Sequence, residues 1–308
     1  MTSYLLRSSL QPSSIPTYRR AWALFYKFYN SVFHLPFTFL PISPSLMALF
    51  IAYMFNFHYA PSIVTTYISA LGYSHKLLGF PDPSKVFYVS QILKGYKKVG
   101  FHLDSRLPIT LPILDRLVSI APLLQGSTYQ ISQFQAMCSL AFYALLRIGE
   151  MTTHFNSNAN PPLQLYQITK LISPSGELQA FKLIFGDFKR SHNSRPFSVV
   201  LSRQPNSTCP VVLLSKYLTL RGVRPGAIFV SEGGLPVSRS VFSSQLLRAC
   251  HLCGLDPSRY KSHSFRIGAA SYAADRGFSD AQIRMLRALE VQCFSALYQG
   301  SQSKLLNQ

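Results

Sequence analysis

Acidic side chains are scarce in this chain: 11 Asp and Glu face 30 Lys and Arg across 308 residues, for a net charge of +19. No acid precedes Asp82. An excess of this size implies a polyanionic partner, nucleic acid before a membrane surface. Nor is the excess a local tail. Residues 1–106 carry ten basic residues against Asp82 and Asp104, and residues 107–308 carry twenty against nine acids. Two basic halves fit a clamp closing on DNA better than a basic extension on a neutral enzyme.

Cysteine is also sparse. Five residues (Cys138, Cys209, Cys250, Cys253, Cys293) form an odd, scattered set, and Cys250-x-x-Cys253 has no second pair at zinc-finger spacing. Structural thiols in a reducing compartment are expected, with no metal site. Long apolar runs are missing too. The most apolar stretch, Leu46–Phe57, is too short to cross a bilayer and reads as a core helix. No secretory signal opens the chain, and there is no repeat and no low-complexity segment. The expected setting is the nucleus of a eukaryote or otherwise the cytoplasm, with no membrane and no small-molecule cofactor.

What is present is core-forming material, with 48% hydrophobic and 13% aromatic residues. Ser14 and Pro16 announce a helix start, and Tyr18, Trp22, Phe25 and Tyr29 then recur at helical spacing. Further helices are expected from Ser43-Pro44 to His58, Pro61 to Leu78 and Ser84 to Lys98. Arg19, Arg20, Lys27, Lys94, Lys97 and Lys98 decorate this all-α unit; with almost no acids nearby they suit phosphate contacts as well as plain solvation. Arg106-Leu-Pro-Ile-Thr-Leu-Pro112 is stiff and extended, which places a boundary between domains 1–104 and 105–308. The second domain should hold helices over Pro112–Leu124 and Ser132–Arg147, then strands over Leu163–Ile172, Ala180–Phe185 and Phe197–Leu201. A basic loop, Lys189-Arg-Ser-His-Asn-Ser-Arg195, separates the last two strands. Helices return at Pro210–Arg221, Ser240–Cys253, His263–Arg276, Ser279–Ala288 and Cys293–Leu305. The fold class is mainly α with a small antiparallel β-sheet (α+β).

Lys261 to Gly277 is the most informative stretch. Ser262 is a candidate N-cap for a helix rich in Gly268, Ala269, Ala270, Ala273 and Ala274. His263 and Arg266 share a face of its first turn, where unpaired amides and the positive helix end favour an anion. A guanidinium and an imidazole there suit a phosphate oxygen. Alone, the pair could equally tie down neighbouring loops. It does not stand alone. Arg147 lies in Leu145-Leu-Arg-Ile-Gly-Glu150, Lys189 in the basic loop (with Arg190 beside it as a phosphate contact), and Tyr298 near the C-terminal end.

This order resembles the tyrosine recombinases, the phage-integrase family, over essentially the whole chain, in the manner of a eukaryotic mobile-element member. Leu-Leu-Arg147-Ile-Gly-Glu matches the family's first catalytic arginine, His263-Ser-Phe-Arg266 its His-x-x-Arg box, and Lys189 its β-hairpin lysine. The resemblance implies an N-terminal all-α, SAM-like core-binding domain followed by an integrase-type catalytic domain. It also implies double-stranded DNA as partner, self-association on that DNA, and strand breaking and rejoining through a 3′-phosphotyrosyl link made by Tyr298, with no cofactor. The pattern departs from the family at Leu289, where a His or Trp is usual, and in the spacing of Tyr298. A recombinase that has lost its chemistry and only binds DNA is therefore the alternative expectation.

Overall fold

Proline and serine punctuate the N-terminal helices. In the computed structural model α1 spans Ile15–Phe33 after Ser14, with a proline in its first turn. Helix α2 spans Pro44–Asn56, and the Ser43 hydroxyl accepts from the Leu46 N–H at 3.2 Å. Helix α3 spans Pro61–Leu77. The expected fourth helix is split. Asp82 caps a short 3₁₀ turn, Pro83–Lys85, and Val86 is extended before α4, Phe87–Val99, begins. Asp82 Oδ1 accepts from both the backbone and the hydroxyl of Ser84, an Asx turn that competes with continuing the helix. The structure describes residues 9–10, 14–37, 40–99, 105–153, 161–185, 197–279 and 281–283. The chain separates into two units, Met1–Asp104 and Ser105–Gln308.

The first unit closes on aromatic and methionine side chains, among them Phe25, Phe28, Met47, Phe50 and Met54. Phe25 meets Trp22, Phe37 and Phe50 edge to face, a favoured geometry for aromatic quadrupoles. One buried polar group is fully specified. His75 Nε2 accepts the Ile42 N–H at 2.8 Å, so its Nδ1 carries the proton and donates to the Leu71 carbonyl.

In the second unit, α5 (Leu111–Ile120), a 3₁₀ turn (Ala121–Leu124) and α6 (Thr128–Tyr143) come first. Helix α6 is buried nearly all round, and α5, α8 (Pro210–Arg221) and α10 (Ser264–Asp275) pack against it. Helix α9 (Arg239–Leu252) rests on α5 and the 3₁₀ turn. The sheet is antiparallel, in the order β1 (Ile168–Ile172), β2 (Leu178–Phe185), β3 (Phe197–Ser202). Strand β1 starts later than expected. Leu163 accepts from Ile228 and Leu165 donates to Gly226, so the first half of the expected strand is drawn to another loop. That loop is held by Arg221, only 8% exposed, whose guanidinium donates to the carbonyls of Gly222, Arg224, Ala227 and Ile228.

Candidate active site

Arg147 does not end a helix. Helix α6 stops at Tyr143, Leu145 turns into the left-handed region at φ 48°, and Arg147 is extended at the N-cap of α7, Ile148–Met151. The hydrophobic pattern runs on through Ala144, Leu145 and Leu146 because this turn is itself packed into the core, all three being at most 2% exposed. Periodicity therefore cannot mark where the helix ends. A leucine at positive φ costs about 1–2 kcal/mol, and it re-aims the chain immediately before the arginine.

The guanidinium of Arg147 is anchored from below by a residue that sequence reasoning passed over. Glu150 Oε1 receives Arg147 Nη1 at 2.9 Å, and Glu150 Oε2 receives the Arg147 backbone N–H at 2.7 Å. The carboxylate thus caps α7 and orients the arginine at once. An acid three residues beyond an N-cap is half of a capping box, and in so acid-poor a chain that spacing was a readable signal. The Arg147 side chain stays 49% exposed and its partner 16%.

His263 and Arg266 sit at the start of α10. The helix begins one residue later than expected, with His263 at the cap position. Ser262 does not cap it; the Ser264 hydroxyl instead accepts the Lys261 N–H at 3.0 Å. His263 is exposed and Arg266 is only 5% exposed. A buried cation at the positive end of a helix dipole is an arrangement that gains from an anion. Helix α10 packs on α6, with the Phe142 and Tyr272 rings 5.7 Å apart. The two arginine-bearing stretches are thus fastened to one core, Arg147 just past the end of α6 and Arg266 on the helix packed against it.

Lys189, Arg190, Leu289 and Tyr298 lie outside the described residues; strands β2 and β3, which precede and follow Lys189 and Arg190 in the sequence, pair through Phe185 and Phe197. In the first unit Arg19, Arg20 and Lys27 are exposed on α1, and Lys94, Lys97 and Lys98 on α4. Among the described residues no group of three or more His, Cys, Asp or Glu could hold a metal, and no helix is long and apolar enough to cross a membrane. Cys138, Cys209, Cys250 and Cys253 are buried and form no disulfide; burial pushes the Cys250 thiol up to about 11.

This architecture is the fold of the tyrosine recombinases. The chain is similar to XerH site-specific recombinase in a post-cleavage complex with palindromic difH substrate (TM-score 0.61, 14% identity, covering 96% of this chain and 77% of that one). It is similar to the integrase of transposon Tn1549 in complex with transposon right-end DNA (TM-score 0.60, 10% identity, 99% and 97%). It is also similar to a lambda integrase dimer bound to a COC′ core site (TM-score 0.58, 14% identity, 97% and 94%). No protein-family model and no curated sequence matches the chain.

Proposed function

We propose that this protein breaks and rejoins double-stranded DNA at specific sites through a 3′-phosphotyrosyl intermediate. The observation that carries the reading is the recombinase fold along the whole chain, with Arg147 and Arg266 anchored to one core of it. In this mechanism the Tyr298 hydroxyl attacks the scissile phosphorus, and the 5′-oxygen leaves with a proton donated by Lys189. Arg147 and Arg266 clasp the non-bridging oxygens, whose charge grows in the transition state, in the bidentate way a lysine cannot reproduce. His263, exposed beside Arg266, assists proton transfer, and Glu150 holds Arg147 in place. The phosphodiester energy is kept in the tyrosyl link, so another strand's 5′-hydroxyl reverses the step without ATP. The basic residues of α1 and α4 contact the DNA backbone, and two or more copies assemble on one site, as lambda integrase does as a dimer on its core site.

The test is incubation with nicked suicide DNA, which should accumulate a covalent adduct that Tyr298→Phe abolishes; absence of adduct from cognate DNA sinks the enzymatic claim. The second reading, a DNA-binding protein descended from a recombinase, draws on Leu289, which cannot donate the hydrogen bond a His or Trp would give. It expects steep loss of affinity with salt and no cleavage.

A further inference from the structure

We propose that the backbone of Leu107–Ile109 and the glycine at position 268 form a splint that positions Arg266. The inference rests on Arg266 being the phosphate clasp described above. Four contacts run in step along residues 105–109, a stretch outside the regular elements. Arg259 Nε donates to the Ser105 carbonyl at 3.3 Å. The Leu107 N–H then donates to Arg259 O at 2.8 Å, and the Ile109 N–H to Ser264 O at 3.0 Å. Finally, the Ile109 carbonyl approaches Gly268 so closely that a Cβ there would come within 2.5 Å of the carbonyl carbon and nearer still to its oxygen.

The geometry brackets the arginine. Ser264 O belongs to the first turn of α10, and Gly268 is the next residue on the same face, four positions on. Arg266 lies between these two points of attachment. Glycine inside a helix is destabilising by about 1 kcal/mol relative to alanine, so its presence calls for a reason, and the close approach of Ile109 supplies one. Both sides of the contact are backbone, with Ile109 fully buried, so no rotamer change can relieve a methyl group there. Carbon atoms rest at about 3.5–4.0 Å; an alanine would force the segment and the helix apart by roughly 1 Å or more, a misplacement that costs on the order of 100-fold in rate.

The experiment compares Gly268→Ala with Ser271→Ala, an exposed control on the same helix. Hydrogen exchange is followed in peptides covering 105–112 and 259–270. Adduct formation is timed on nicked DNA carrying either a normal phosphate or a neutral methylphosphonate at the scissile position. Gly268→Ala should speed exchange of the Ile109 and Arg266 amides by about 10-fold or more while α6 is unchanged. It should slow cleavage of the phosphate by about 100-fold, and of the methylphosphonate far less, because that group lacks the charge the arginine meets. Unchanged exchange, or equal loss on both substrates, overturns the proposal. Should Gly268→Ala not fold, Arg259→Ala loosens the Ser105 end of the splint and must still speed exchange at Leu107 and Ile109; unchanged exchange there counts against it. If the unaltered protein forms no adduct, the functional reading fails, and the exchange measurements still decide whether the splint exists.

Discussion

Arg147 and Arg266 are held in opposite ways. The first sits on a short non-helical stretch, half open to solvent, steered by the carboxylate of Glu150. The second is 5% exposed on a helix held by packing and by the backbone of the Leu107–Ile109 segment. On the proposed reading, in which both grip one phosphate, the site would combine an electrostatically hinged cation with a sterically fixed one. The first would tolerate small changes of substrate position, and the second would set the register.

The largest effect that sharpens this contrast is removal of either guanidinium. Arg147→Ala and Arg266→Ala should each slow adduct formation on nicked DNA by about 100- to 1,000-fold, corresponding to about 3–4 kcal/mol. Free guanidinium added to the reaction should restore activity to Arg147→Ala, whose site opens to water, and not to Arg266→Ala; equal rescue of both would erase the distinction. Next is Glu150→Ala, which should slow cleavage roughly 10-fold through Arg147 and lower stability by about 0.5–2 kcal/mol through the lost cap. Glu150→Gln should retain most of the stability and lose the rate, as seen by comparing thermal melts with cleavage kinetics.

The smallest effect concerns an acid that anchors a turn in the first unit. Burial pushes the Asp82 carboxyl up, but the Ser84 hydroxyl and amide together with Lys76 outweigh it, holding the group below its ordinary 3.8. Such a carboxylate contributes stability above the unfolded-state value and loses it as pH falls through the lower folded value. Asp82→Asn should therefore lower stability at neutral pH by about 0.5–1 kcal/mol, and the difference from the unaltered protein should shrink as pH falls through the lowered carboxyl value. A gap that persists in acid would show that the charge does not matter there.

Much of this was legible beforehand, for identifiable reasons. The first three helix starts were readable because Pro16, Ser43 and Pro61 act locally, through their own backbone and side-chain chemistry. The bounds of α6 were not: it starts at Thr128, four residues before the expected Ser132. The chain leaves it at Tyr143 while apolar residues continue to Leu146, since a buried turn and a buried helix present the same composition. The start of β1 was misplaced because Leu163 pairs with a loop more than sixty residues away, a partnership no local pattern encodes. In the site, the residue types of Arg147, His263 and Arg266 were evident from their motifs. Of their supports, Glu150 was readable from its capping-box spacing, whereas the segment lying on Gly268 makes a contact across the fold and emerges only in three dimensions.

The buried Arg221 bears on how the protein would respond to ionic strength. Its guanidinium is saturated by carbonyl oxygens, and Lys76 and Arg203 lean on Asp82 and Glu177. Arg221 is an internal rivet, unable to displace condensed sodium or potassium from a duplex, whereas the Lys76 and Arg203 side chains are 59% and 52% exposed and remain open to solvent. A count of thirty basic residues thus overstates the number of ions released on association. The slope of log affinity against log salt, about 0.9 per neutralised phosphate, should be read against the exposed lysines and arginines alone.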